Sequence, residues 1–438
     1  MMKRFLYLAL LVLFFNEGCK KDPSGNQQNG NLQHGLHIQL LKGNNQTDTI
    51  GNPLKDSIIV KITNNGSPVA GYTVQFKRSG CEDLDVTDAV SNTNGQLSFV
   101  WYLSGDIGAQ SLNAIVLDGN LNHRDSVSVS AMGVASSHGW HRGGCLQNFP
   151  VNTVTALSSG RILASVNKAS YPYYSDNNAV SWHPLKSFSK NYVVSKIVNN
   201  GTDIYLATLN QGVFHSTNNG QNWTNISTGI PNVLNFSDFA VTPSGKLFYT
   251  NANGLYESDD KGATWNENDF GLPSGPSTYP CEQSNGDLYI IGSDGSVYQL
   301  PAHTGTWISI AADANYLLSS VQSIFIDNSG NIFIGGPHDA PDGTGYIYES
   351  SDNGQNWTLV FSQQNTSTSY SNIDNISKAG SSYYFSFAGL GIMQTTNFST
   401  FSNLTAQLGN LGFGSYTIAG NGNLVIGAPG YGVYYKVP

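Results

Sequence analysis

Beyond residue 34 the chain alternates apolar and polar positions in short runs, and no apolar helical period of ten or more residues interrupts them. The first runs are LHIQLL, DSIIVKIT, AGYTVQF, GQLSFVWYL, SLNAIVL and DSVSVSA, separated by Gly, Asn, Asp and Pro. That spacing predicts a β-sandwich over residues 34–133. Asn65-Gly66 and Asn94-Gly95 read as its hairpin turns, because both residue types tolerate positive φ. After residue 138 the pattern changes to a repeat. An apolar strand ends in a Ser/Asn-Gly turn, and a second strand follows seven times: GRILASV, TDIYLAT, GKLFYTN, GDLYIIG, GNIFIGG, SYYFSFA and GNLVIGA. A third strand then leads into a turn that closes on an aromatic residue.

Trp140, Trp182, Trp223, Trp265, Trp307 and Trp357 keep this phase at intervals of 42, 41, 42, 42 and 50 residues, and Phe401 follows 44 later. About 40–45 residues is the span of a four-stranded propeller blade. The predicted fold class is all-β: a sandwich followed by a seven-bladed β-propeller over residues 138–438. The last unit, SYTIAGNGNLVIGAPGYGVYYKVP, stops after its third strand, while Trp140 lies one period ahead of the first complete unit. Residues 138–149 are therefore expected to supply the missing outermost strand.

Residues 1–19 form a leader with Lys3 and Arg4 ahead of an apolar stretch, Phe5–Phe15, too short to span a bilayer. Gly18-Cys19 at its end resembles a bacterial lipoprotein signal, with a loose box similar to those of Bacteroidetes. The resemblance implies lipidation of Cys19, anchoring to the membrane through an N-terminal lipid, and a cell-envelope location at the outer membrane. Residues 20–33 are polar and contain Gly and Pro, as expected of a flexible tether.

Charge narrows the partners. The chain holds 20 basic and 29 acidic residues and no basic stripe, which excludes nucleic acid as a partner. Cys81, Cys145 and Cys281 are odd in number and show no zinc-like spacing, and small buried thiols are the expectation. No cofactor is expected, and the sequence leaves a metal open.

The segments GNPLKDSIIVKITNNGSPVAGYTVQF and TNGQLSFVWYLSGDIGAQSLNAIV carry Gly66-x-Pro68-x-x-Gly71, Thr93-x-Gly95, Trp101 and Gly108-x-Gln110. They resemble bacterial Ig-like domains of the invasin/intimin type. The resemblance implies a spacer that presents a binding module, with Trp101 in the core of an Ig-like sandwich.

The turns at Ser175-Asn177-Trp182, Ser216-Asn218-Gly220-Trp223, Ser258-Asp260-Gly262-Trp265 and Ser350-Asp352-Gly354-Trp357 resemble the Asp-box, Ser-x-Asp-x-Gly-x-Thr-Trp. This box is found in sialidases, sortilin-type receptors and propellers similar to photosystem II assembly factors. Its residue types are those of a turn clip: a short Asp or Asn satisfies turn N–H groups, Gly takes positive φ, and Trp packs between blades. These residues are expected to be structural.

Sialidases grip a carboxylate with three arginines, and the propeller segment has only Arg142 and Arg161, so that activity is excluded. Other glycoside hydrolases need two opposed carboxylates, and no pair stands out among Asp203, Asp238, Asp287, Asp294, Asp313, Asp327, Asp339, Asp342 and Asp374. The long interval before Trp357 places extra residues at 335–346, in a loop opposite the boxes, where His338, Asp339 and Asp342 are candidates for a cation or polar ligand. Tyr192, Tyr279, Tyr316, Tyr370 and Tyr416 are expected on the same face. The expected function is binding or scaffolding, with a glycan or protein as ligand, rather than catalysis. The alternatives are an extracytoplasmic glycoside hydrolase or lyase, and an envelope assembly factor.

Overall fold

The computed structural model describes residues 35–437 apart from 50–51, 79–85, 104–107, 121, 135–138, 147–148, 168–170, 276, 311–320, 338–343, 365–372, 388–389, 409–413 and 429–431. The leader, Cys19, the tether and Cys81 lie outside the described residues, as do His338, Asp339, Asp342, Tyr316 and Tyr370.

Two sheets make up residues 35–134. One joins the strands Leu36–Lys42, Ile58–Asn64, Ser67–Pro68 and Gln96–Phe99, and the other joins Gln46–Thr49, His123–Val134, Gly108–Leu117, Thr73–Arg78 and Val86–Val90. Alternation sends one face of each strand inward, so Ile58, Val60 and Ile62 of the first sheet meet Leu112, Ala114 and Val116 of the second in one apolar core. Trp101 is buried among them. Asn65 and Gly66 both have positive φ, 50° and 81°, as a two-residue hairpin turn requires. A Cβ on Gly95 would stand 2.4 Å from the Ile62 carbonyl oxygen, so only glycine fits there.

Among the described residues seven four-stranded antiparallel sheets follow, and the segment is a β-propeller. In six the strands run in chain order from first to fourth; in the seventh, Gly139–Arg142 takes the outermost place beside Gly432–Val437. The first strands of successive sheets pack on one another, which puts them around the axis.

Tryptophans stitch neighbouring sheets. The Trp265 indole N–H donates to the Ile226 carbonyl at 2.6 Å, and that of Trp307 to Asn268 at 2.8 Å. Trp140 repeats the bond across the closing seam, donating to the Leu404 carbonyl at 3.2 Å. Two residues on, the Arg142 guanidinium lies over the rings of Tyr434, at 5.4 Å, and of Tyr102 in the first module, at 4.7 Å. The expectation of thiols needs one correction: Cys145 is disulfide-bonded, whereas Cys281 is free, and burial pushes its thiol well up.

The Ser-x-Asp turns are closed clips. The Ser258 hydroxyl donates to Asp260 at 2.8 Å and accepts the Gly262 N–H at 2.8 Å, while Asp260 accepts the Thr264 N–H and hydroxyl at 2.8 and 2.6 Å. Asn177 and Asn218 accept the equivalent Ser hydroxyls at 2.9 and 3.0 Å, so the amide substitutes for the carboxylate. Gly262 has φ of 87°, and a Cβ there would meet Ile226 of the preceding sheet at 2.6 Å.

The bonds from Thr264 and Ser258 hold Asp260 at about 2, and those from Asn356 and Ser350 hold Asp352 at about 2. A depressed folded value stabilises above the ordinary carboxylate range, and that stability is lost as pH falls. The melting temperature is therefore expected to fall as pH drops from 3.8 towards about 2. In the double variant Asp260→Asn, Asp352→Asn that fall should be shallower, as a melting series across this range would read. Because Asp260 is exposed and Asp352 partly so, solvent screens the effect and keeps it small.

Candidate functional site in the axial pocket

Each sheet enters at the face opposite the Ser-x-Asp turns, because four antiparallel strands put the third-to-fourth connection at the far end. At that entry the first strands bulge. The ladder slips between Val151 and Thr153, Val194 and Lys196, Phe236 and Asp238, Thr278 and Cys281, and Asp374 and Ser377. A bulge re-aims the side chains beside it. Repeated around the ring, it lines an axial pocket of about 400 Å³ with Asn152, Ser195, Lys196, Ser237, Asp238, Thr278, Tyr279, Asp374, Asn375 and Ser415 among others. Tyr279 and Asn375 have φ of 56° and 54°, a left-handed conformation that a bulky residue such as Tyr279 adopts only at a cost of roughly 1–3 kcal/mol.

One ion pair dominates the wall. Asp238, buried, accepts the Lys196 ammonium and the Phe239 N–H (2.9 Å) on Oδ1, and the Tyr279 N–H (2.8 Å) on Oδ2. Lys196 also stands 5.6 Å from the centre of the Tyr279 ring. Both oxygens of Asp238 are thus committed. Asp374 is different. Burial raises its carboxyl above the usual carboxylate range, and no hydrogen bond opposes that shift. Burial, then the charges of Asp374 and Asp238, push the Tyr279 phenol well up, and both carboxyls line the pocket with it.

The residues anticipated on this face fare unequally. Tyr279 lines the pocket. Tyr192 packs in an aromatic cluster with Phe188, Phe214 and Trp223. Tyr416 lends its hydroxyl to the seam between the sixth and seventh sheets, bonding Ser377 at 2.8 Å and the Asn375 carbonyl, so it stiffens the wall from behind. Lys196 and the pairing of Asp238 with it were not anticipated. A signal existed: the two are 42 residues apart, one repeat, at the same place in successive first strands. A second cavity, about 220 Å³, opens by the turns between the first and second sheets, and its walls carry Ser158, Ser159, Thr217, Asn218 and Asn219 but no charge. Among the described residues no three of His, Cys, Asp or Glu gather to hold a metal ion.

A ring of four-stranded sheets around a polar pocket defines a β-propeller. Residues 151–388 match the model of the DUF6242 β-propeller domain, and the chain belongs to that family. No curated protein matches the sequence. Among solved structures the chain is similar to YCF48 from Cyanidioschyzon merolae (12% identity, 68% of this chain and 99% of that one, TM-score 0.52) and to a YCF48 bound to D1 peptide (10% identity, 70% and 99%, TM-score 0.51). It is likewise similar to the extracellular domain of BT4673 from B. thetaiotaomicron (15% identity, 68% and 40%, TM-score 0.52). The GH74 enzyme of Niastella koreensis is a further match (15% identity, 68% and 53%, TM-score 0.50). At these identities the likeness is one of fold.

Proposed function

We propose that this protein is a ligand-binding module of the cell envelope, anchored through lipidated Cys19, with an Ig-like spacer carrying a seven-bladed propeller. The propeller takes a glycan or protein ligand in its axial pocket. The observation that carries this reading is the state of the pocket's two carboxyls. Hydrolysis of a glycoside calls for a pair, one acid and one base or nucleophile. Here Asp238 has both oxygens occupied by Lys196, Phe239 and Tyr279, which leaves Asp374 alone. A single uncommitted carboxyl amid Asn, Ser and Thr suits recognition. The peptide held by YCF48 and the glycoside hydrolase among the similar folds are consistent with either ligand class.

The test is a paired screen of the chain from residue 20 on glycan and peptide arrays, with the variant Ser237→Trp, which fills the pocket from its wall. Capture by the parent and at least about tenfold weaker capture by the variant, at equal melting temperature, is the expected result. Undiminished capture by a folded variant would reject the axial site. Oligosaccharide released from a glycan during incubation would reassign the protein to the hydrolases or lyases.

A further inference from the structure

We propose that the axial pocket receives a primary ammonium group, with Asp374 as its counter-ion and the Tyr279 ring beside it. The inference rests on the pocket being the ligand site and names the chemistry it selects. Lys196 is already neutralised by Asp238, so among the described residues no further cation stands on the wall to hold an anionic ligand. Asp374 and Asp238 both repel one. A neutral polar ligand satisfies the hydroxyl and amide groups but leaves the half-buried Asp374 carboxyl without a partner, which is costly for a carboxylate partly removed from water. A cationic nitrogen removes that penalty. Hydroxyls and amides of Ser237, Thr278 and Asn375 come from three different strands around the carboxyl. Such dispersed acceptors match the three diverging N–H bonds of an ammonium better than the planar fork of a guanidinium. The Tyr279 face adds a cation–π surface. The volume of about 400 Å³ accommodates an amino sugar or a lysine side chain, two carriers of the same group.

The pH dependence has a fixed sign. Asp374 is raised, so its protonated form prevails further up the pH scale than usual, and ammonium binding strengthens as pH rises through its titration. Asp238, Lys196 and Tyr279 line the same pocket, and Tyr346, Tyr384 and Tyr416 lie on neighbouring strands. Glu349, also raised, belongs with Asp327, Lys378 and Tyr383 in a separate network in which Lys378 bonds Asp327 at 3.0 Å. Comparison with Asp374→Asn removes the contribution of all of these.

The experiment titrates the chain from residue 20 with glucosamine against glucose, and with Nα-acetyl-lysine amide against Nα-acetyl-norleucine amide, by calorimetry from about pH 4 to about pH 6.5, where both amines stay protonated. Ammonium probes are expected to bind more tightly than their neutral partners, more so at higher pH. Asp374→Asn should weaken them about tenfold and erase the pH trend. That variant should also melt higher than the parent above the Asp374 titration, since a raised folded value means stability lost as pH rises through it. The better of the two ammonium probes identifies the carrier. Equal affinity of charged and neutral probes, no binding of either, or full binding by folded Asp374→Asn would overturn the proposal. The parent's own pH profile decides if the variant fails to fold. If Ser237→Trp still abolishes array capture in that event, the axial site stands and only the ammonium assignment falls.

Discussion

Deleting residues 139–146 should abolish the cooperative melting of the propeller. The segment contributes a whole strand to the seventh sheet, pairing Gly139 with Val437, Trp140 with Lys436, His141 with Tyr435 and Arg142 with Tyr434. It buries Cys145 and Leu146 in the core beneath the first sheet, together with Val151, Val425 and Tyr435. Loss of one fully buried Leu costs about 2–5 kcal/mol, and here a strand, an indole hydrogen bond and a disulfide go with it. The total is comparable to the about 5–15 kcal/mol that separates most folded domains from unfolding. The deletion also leaves the edge of Gly432–Val437 unpaired, a template for aggregation. Calorimetry should show a broad, low transition, and a synthetic peptide of residues 139–146 should partly restore it. An unaltered transition would contradict closure by this strand.

Replacing Trp307 with Ala should have the next largest effect. Trp307 is 2% exposed and wedges among Phe248, Leu255, Leu288, Ile290 and Leu300 of the third and fourth sheets. Its backbone N–H donates to the Phe270 carbonyl at 2.9 Å and its indole N–H to Asn268 at 2.8 Å, so one residue ties the fourth sheet to the segment leaving the third. Gly271 makes the approach possible: a Cβ there would lie 2.4 Å from the Trp307 carbonyl oxygen. Truncation removes the wedge and orphans the Asn268 carbonyl. About 3–5 kcal/mol and a fall in melting temperature of roughly 5–15 °C are expected. Trp307→Phe keeps most of the wedge and loses the indole bond, and should fall by about 1–2 kcal/mol. Equal melting of the Ala variant and the parent would show that inter-sheet packing at this seam is not limiting.

These two seams differ in how far the sequence revealed them. The tryptophan spacing and the Ser-x-Asp clips are local chemistry repeated at fixed distance, so they stand out in the bare sequence. Trp307 has no clip ahead of it, yet it makes the same bond as Trp265, because the register of the sheets rather than the turn sets the position of the indole. The pocket was far less legible. Its walls depend on bulges, and neither Lys196 nor Asp374 carries a local motif that announces one. Asp238 and Asp374 stood among several equivalent aspartates until burial and bonding separated them. Tyr416 looked like its neighbours in the sequence, but its hydroxyl satisfies the chain within the seam.

The position of Arg142 has a mechanical meaning. Any pull on the chain ahead of residue 139 enters the propeller at the very strand that closes it, and the junction is braced there by the Tyr102–Arg142–Tyr434 stack. A tug that would otherwise peel one outer strand from its ladder is shared with Tyr102 of the first module. The ring is thus reinforced at the point where a tethered protein would be loaded.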